Sequence, residues 1–313
     1  MDTSLIAWSA LLFPLVVSGL QLAVPVMLAA TGELFAERSG VLNIGIEGTC
    51  LLGALTGFLV AWSTGSLWAG MAAAALMGVV SNAFLAWMYV TVQASQVVVG
   101  IIFNLLAFAS ASYAYRLFMG GQAGVVQVEL FQPVHWGALS ELPVVGPLLF
   151  QQIGPFYLVA AFIVLSYFVL FHTAWGLSLR AVGENPRAAE ASGIRVARMR
   201  YAAVLIGGGA AGLAGAYLVL GRVGIFRDNV VIGQGFIALA VVILGRWHPF
   251  KAALAALAFG MAEALPLLLQ ARGSTLPTQL LLSLPYLMTF IAISGLLGRA
   301  NQPAALLKPH LRE

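Results

Sequence analysis

Nine apolar runs, most of them 20 residues or longer, follow one another along this chain, at 5–30, 41–63, 66–92, 96–118, 153–172, 200–221, 236–247, 250–270 and 280–298. Crossing about 30 Å of hydrocarbon takes about 20 helical residues, each adding about 1.5 Å. The run 236–247 falls short and reads as a broken or half-helix. A bilayer core offers the backbone no hydrogen-bonding partner, so runs of this kind must be helical. The expected fold is an all-α polytopic membrane protein with about nine segments, eight to ten allowing for the short one, in a single transmembrane domain over 1–313.

Composition closes the alternatives. With 61% hydrophobic and 8% charged residues, a soluble domain of this length would have a largely apolar surface. Only Asp2 carries a charge ahead of the first run, which therefore reads as a span that stays rather than a signal peptide. Cys50 is the single cysteine, and His135, His172, His248 and His310 stand far apart, so neither a disulfide nor a metal site is expected. Lys and Arg set the orientation. An outside N-terminus and inside C-terminus leave only Arg116, Arg222, Arg227 and Arg272 of the fifteen outside. Residues 119–152 then form an extracytoplasmic loop, either a docking lip with a short interfacial helix or a plain connection. Residues 173–200 form the long cytoplasmic loop.

Enzymatic and nucleotide-binding classes find no footing. A phosphate-binding loop needs Gly-Lys before Ser or Thr, whereas Lys251 follows Phe250 and Lys308 follows Leu307. No HExxH, no GxSxG and no paired aspartates lie within a span. No catalytic residue, bound cofactor or nucleic-acid partner is expected.

The cytoplasmic loop carries GENPRAAEASGIR at 183–195. Asn185 suits a helix N-cap, Pro186 the first helical position and Gly193 a left-handed end. Arg187 and Glu190, three apart, share a face. A lipid anchor needs an apolar face, whereas this helix is alanine-rich with balanced charges and suits insertion into a protein groove. A pore without an engine that carries a docking helix suggests a membrane subunit driven by a separate motor.

These residues resemble a known family. AVGENPRAAEASGIRVARMRYAAVLIGGGAAGLAGAYLVLG (181–221) is similar to the coupling segment and following span of ABC-importer permeases of the branched-chain amino acid and simple-sugar group. ERSGVLNIGIEGTCLLGAL (37–55) and GFIALAVVILGRWHPFKAALAALAFGMAEAL (235–265) resemble its nucleoside-uptake branch. The resemblance implies a bacterial inner-membrane importer with four kinds of part. These are this permease, a second permease subunit (paralogue or copy), an ATPase that binds ATP and magnesium, and an extracytoplasmic substrate-binding protein. It also implies that Glu184, Asn185, Pro186, Arg187, Ala188, Ala189, Glu190 and Gly193 form the coupling element seated on the ATPase. The cargo implied is a nucleoside or related small polar heterocycle, with a simple sugar or riboflavin as neighbouring choices. A stand-alone ion-coupled carrier is the competing reading. It leaves the docking helix without a purpose.

Candidate substrate-path residues are polar groups embedded in apolar runs. Asn43 and Glu47 lie four apart among Gly40, Gly45 and Gly48, in either a re-entrant break or a cytoplasmic turn. Asn104, with Gln96 two turns earlier, offers a hydrogen bond to a base or ribose or else an interhelical bond, and Phe103 or Phe108 offers a stacking face. Gln234 and Phe236 open the short seventh run, and Glu263 precedes Pro266. Gly208 with Gly212, and Ala211 with Gly215, form small-xxx-small pairs for close helix packing.

Overall fold

The first helix does not stop where its apolar run stops. In the computed structural model, which describes residues 3–121, 125–273, 277–293 and 302–308, α1 extends over Thr3–Arg38. The expected end at residue 30 is two turns early. TGELFAER holds no proline, and its charged residues Glu33 and Glu37 are enclosed by packing rather than released to a loop. The chain turns at Gly40, with φ +88°.

Then come α2 (Ile46–Thr64), α3 (Leu67–Ala86) and α4 (Gln96–Met119). Gly65 closes α2 in the left-handed region, φ 68°. Ser66 then caps α3 by accepting from Ala69 N–H at 3.3 Å. Residues 125–153 are irregular apart from short turns and a bridge between Pro133 and Ile153. After them come α5 (Gly154–His172), α6 (Ala174–Glu184), α7 (Pro186–Ala191), α8 (Val196–Leu218), α9 (Gln234–Leu244) and α10 (Pro249–Ala271). Two short helices follow, α11 (Thr278–Leu282) and α12 (Leu284–Ile293). Both α3 and α8 end in a wide π turn, at Trp87–Thr91 and Val219–Val223.

Among the described residues, seven helices are long and apolar enough to cross a membrane. The expected short run is α9, only 11 residues long. The last expected run, 280–298, is described to residue 293 as α11 and α12, and its remainder lies outside the described residues.

Helix α8 sits at the centre, 78% of its most apolar 18-residue stretch buried against 22% for that of α4. It packs on α3, α1 and α2, while α1 also lies along α10. Glycine makes this possible. A methyl group on Gly208 would overlap the Gly78 carbonyl of α3, and one on Gly212 the Ala74 carbonyl. One turn on, a methyl on Gly215 would overlap the Cys50 carbonyl of α2, and Ala211 beside it is fully buried. The small-residue stripe therefore packs inside this chain, in contact with two neighbours at once.

Candidate functional site

Two helix starts meet at one wall of a cleft of about 440 Å³. One is the first turn of α2, where Glu47 stands; the other is Gly233–Gln234 at the head of α9. Glu47 joins them. Its Oε1 accepts from Gly233 N–H at 2.6 Å and its Oε2 from Gly235 N–H at 2.7 Å. The head of a helix presents unpaired N–H groups and the positive end of its dipole, so a carboxylate is the natural cap there. Gly233, at φ 77°, carries no side-chain cap of its own. Gly235 is a glycine because a Cβ there would lie 2.7 Å from the Glu47 Cα.

The opposite wall comes from α4. Asn104 Oδ1 accepts from Gly48 N–H at 2.8 Å, and its Nδ2 donates to the Ile44 carbonyl at 2.9 Å. Both ends of the amide thus hold the start of α2 in place. Phe108 of α4 and Phe236 of α9 line the cleft as exposed rings, and Asp228 and Asn229 add polar groups from the connection leading into α9. Gln234 follows the α9 cap, with its Oε1 buried and unpartnered among the described residues.

Asn43, Gln96, Phe103 and Glu263 stand elsewhere. Asn43 is fully buried, with its N–H on Glu33 Oε1 at 2.9 Å and its Nδ2 on Asn82 Oδ1 at 2.7 Å. Asn82 in turn donates to Thr49 Oγ1 at 2.9 Å. Gln96 is spent on the Leu42 N–H, its Oε1 accepting at 2.8 Å. Phe103 turns inward among Leu85, Tyr89 and Ala107, so Phe108 is the ring that faces the cleft. Asn43 ties the 39–45 turn to α1 and α3 from within, and Gln96 and Phe103 brace it from α4. That segment is largely buried and runs back along α1 rather than out to solvent.

The 183–195 segment folds around its own punctuation. Asn185 Oδ1 accepts from Ala188 N–H at 3.1 Å, Pro186 takes the first helical position, and Gly193 adopts φ +85°. Arg187 and Ala188 are exposed, but Ala189 is only 4% exposed, packed with Val182 and Val196. Ala189 therefore seats α7 on its own chain. Glu184 stays exposed and accepts from Ala304 N–H at 3.4 Å.

The family model for the permease component of branched-chain amino acid transport systems matches residues 15–293. The chain belongs to that permease family. It is 36% identical over 299 residues to the guanosine ABC transporter permease protein of Bacillus subtilis, covering 93% of this chain and 94% of the relative. To the nucleoside ABC transporter permease protein of Lactococcus lactis it is 33% identical, over 90% and 91% of the two chains. To a putative glucose ABC transporter permease protein of Haloferax volcanii it is 32% identical, over 94% and 96%. No solved structure shows a significant match.

In this permease, a chain of contacts joins the 183–195 segment to the cleft. Gly183, just ahead of α7, lies flush against the Arg38 carbonyl, where a Cβ would not fit. The Arg38 guanidinium donates to the Trp247 carbonyl from Nε at 3.0 Å and Nη2 at 2.8 Å. Trp247 Nε1 donates to the buried Glu37 carboxylate. Trp247 and Arg246 both hold positive φ, 55° and 51°, in the turn that ends α9. So α9 is gripped at its tail by Glu37 and Arg38 and at its head by Glu47. Sequence reading missed Glu33, Glu37, Asn82 and Trp247. The available signal was an acidic pair four apart at the end of an apolar run. Glu263 does not line the cleft; it interacts electrostatically with Arg222 near the end of α8.

Proposed function

We propose that this chain is the membrane-spanning subunit of an ATP-driven importer for a nucleoside, which passes through the Glu47–Asn104–Phe108–Phe236 cleft. The observation that carries the reading is the continuous train from docking helix to cleft. Rigid movement of α7 acts through Gly183 on the end of α1, and through Arg38 and Trp247 on α9. Since α9 spans about 16 Å at about 1.5 Å per residue, its head lies about half a bilayer from its tail. A transporter places its substrate at such a depth, between the starts of interrupted helices.

The distribution of Lys and Arg supports an outside N-terminus, an inside C-terminus and a cytoplasmic α7. The two shorter apolar helical stretches, added to seven long helices, support nine segments. ATP and magnesium then belong to an ATPase seated on Arg187, Ala188 and Glu190, and substrate capture to an extracytoplasmic binding protein. The cleft opens at the chain's surface beside exposed residues of α4, Ile101 and Leu105, where a second permease subunit closes it. The named guanosine and nucleoside relatives support the cargo. The aromatic faces of Phe108 and Phe236, beside polar Asn104, Asp228 and Asn229, suit a base with a ribose.

The test is uptake into proteoliposomes holding this permease, its ATPase and its binding protein. ATP-dependent guanosine or uridine uptake, abolished by an inactive ATPase, is expected. Uptake that continues without ATPase and collapses with an ion gradient overturns the reading in favour of a secondary carrier. Glucose or riboflavin uptake in place of nucleoside overturns the cargo alone.

A further inference from the structure

Residues 134–152 leave the bundle and come back to the same place. Val134 N–H donates to the Gln152 carbonyl at 2.9 Å, and Pro133 bridges to Ile153, so both ends are stitched together at the start of α5. Within this lip the polar groups turn inward. Ser140 Oγ accepts from Trp136 N–H at 2.8 Å and donates to the Phe150 carbonyl at 2.9 Å. Gln151 Nε2 donates to the Ser140 carbonyl at 2.8 Å, and Gln152 Nε2 to the Pro147 carbonyl at 2.6 Å. The apolar side chains turn outward: Trp136, Leu139, Leu142, Val144, Val145 and Leu149 are all exposed. A loop made for water shows polar side chains and lets water solvate its backbone. Carbonyls satisfied from within, under an apolar exterior, suit hydrocarbon instead.

Two further observations say what covers this surface. The first is depth. The base of the lip, Gln151–Ile153, shares a cavity of about 320 Å³ with Ser18 and Gln21 of α1. The apolar span of α1 continues past that level, away from Arg38, through Leu12–Val17. Six more helical residues add about 9 Å, so the base lies inside the end of the span, within the bilayer's interfacial layer. The second is charge. Between Glu129 and Arg180, Glu141 is the only charged residue, which leaves little with which to steer a protein partner. The patch runs on instead into the exposed Leu158 and Leu165 of α5, a helix long and apolar enough to cross the membrane. Where the two meet, Trp136 Nε1 donates to the Tyr157 hydroxyl at 3.0 Å. Trp and Tyr gather at membrane–water interfaces, where a ring can sit among lipid and its polar edge near headgroups.

We propose that residues 134–150 form a lipid-facing lip sunk into the membrane interface beside the start of α5. Trp136 and Tyr157 lie at headgroup level, and Leu139, Leu142, Val144, Val145 and Leu149 rest on the upper acyl carbons. The partner is the lipid surface, and the lip holds the start of α5 at a fixed depth. Only the leaflet, outer, rests on the orientation proposed above; insertion into lipid does not.

The test uses the permease–ATPase complex in phosphatidylcholine nanodiscs, in a Cys50→Ser background. Spin labels are placed singly at L142C, V145C and R227C, all exposed positions. Power saturation then compares access of oxygen, which favours hydrocarbon, with access of a water-soluble nickel chelate. Oxygen access above nickel access is expected at 142 and 145, with the order reversed at 227. Nickel access above oxygen access at both lip positions places the lip in water and overturns the proposal. Loss of access to both reagents on adding the extracytoplasmic binding protein makes the lip a protein-docking surface, and overturns it as well.

Discussion

Glu47 shows how one side chain organises a transmembrane site. Its two oxygens hold Gly233 and Gly235 at 2.6 and 2.7 Å and so fix where α9 begins relative to α2. Truncation leaves two buried N–H groups without an acceptor, a cost of about 1–3 kcal/mol. Glu47→Ala is expected to lower the unfolding midpoint and abolish uptake, while Glu47→Gln, which keeps one acceptor, loses less of both. Equal behaviour of E47A and wild type in a melting and uptake assay would remove Glu47 from the site. Gly215 sets a different limit, because the Cys50 carbonyl occupies the space a methyl needs. Forcing two packed helices apart costs about 1–3 kcal/mol or more. Gly215→Ala should therefore cut the folded yield, read by size-exclusion chromatography in detergent.

At the scale of elements, α9 is a rod held at both ends and α7 a foot resting on the chain that carries it. Trp247→Phe keeps an aromatic ring, though a smaller one, and removes the donor to Glu37, leaving that buried carboxylate short of a partner. The variant is expected to insert normally and hydrolyse ATP with its ATPase, but to transport less per ATP. Coupled transport at the wild-type ratio would show that the tail of α9 needs no grip. The two central alanines of α7 separate seating from docking. Ala188 is exposed, whereas Ala189 packs on Val182 and Val196. Ala188→Arg should leave the permease folded and lose the ATPase from co-purification. Ala189→Arg should instead unseat α7 and lower thermal stability with or without the ATPase present.

For the molecule as a whole, the proposed orientation makes α7 cytoplasmic. A cysteine at Ser192, placed in a Cys50→Ser background, is expected to react with impermeant thiol reagents in inverted vesicles but not in intact cells. Labelling of intact cells would reverse the topology.

Much of this was written in the chain's local patterns. The apolar runs dictated an all-helical membrane fold, since a backbone in hydrocarbon must satisfy itself locally. The caps of α7 were equally local, because Asn185, Pro186 and Gly193 act on their immediate neighbours. Sequence alone also selected Glu47, Gln234 and Phe236, polar or aromatic where an apolar run begins or breaks, and Asn104, polar within one. What it did not decide was which polar residues share a space. Asn43 and Gln96 look like Asn104 in sequence, yet they are spent behind the 39–45 turn. Glu37 meets Trp247 across 210 positions of chain, and Glu47 reaches Gly233 across 186. Such pairings follow from how α1 and α2 pack on α9, a property of the packed bundle. Local pattern determined the helices and their caps; tertiary packing alone decided which of their ends face one another, because a hydrogen bond depends on distance in space and not on separation along the chain.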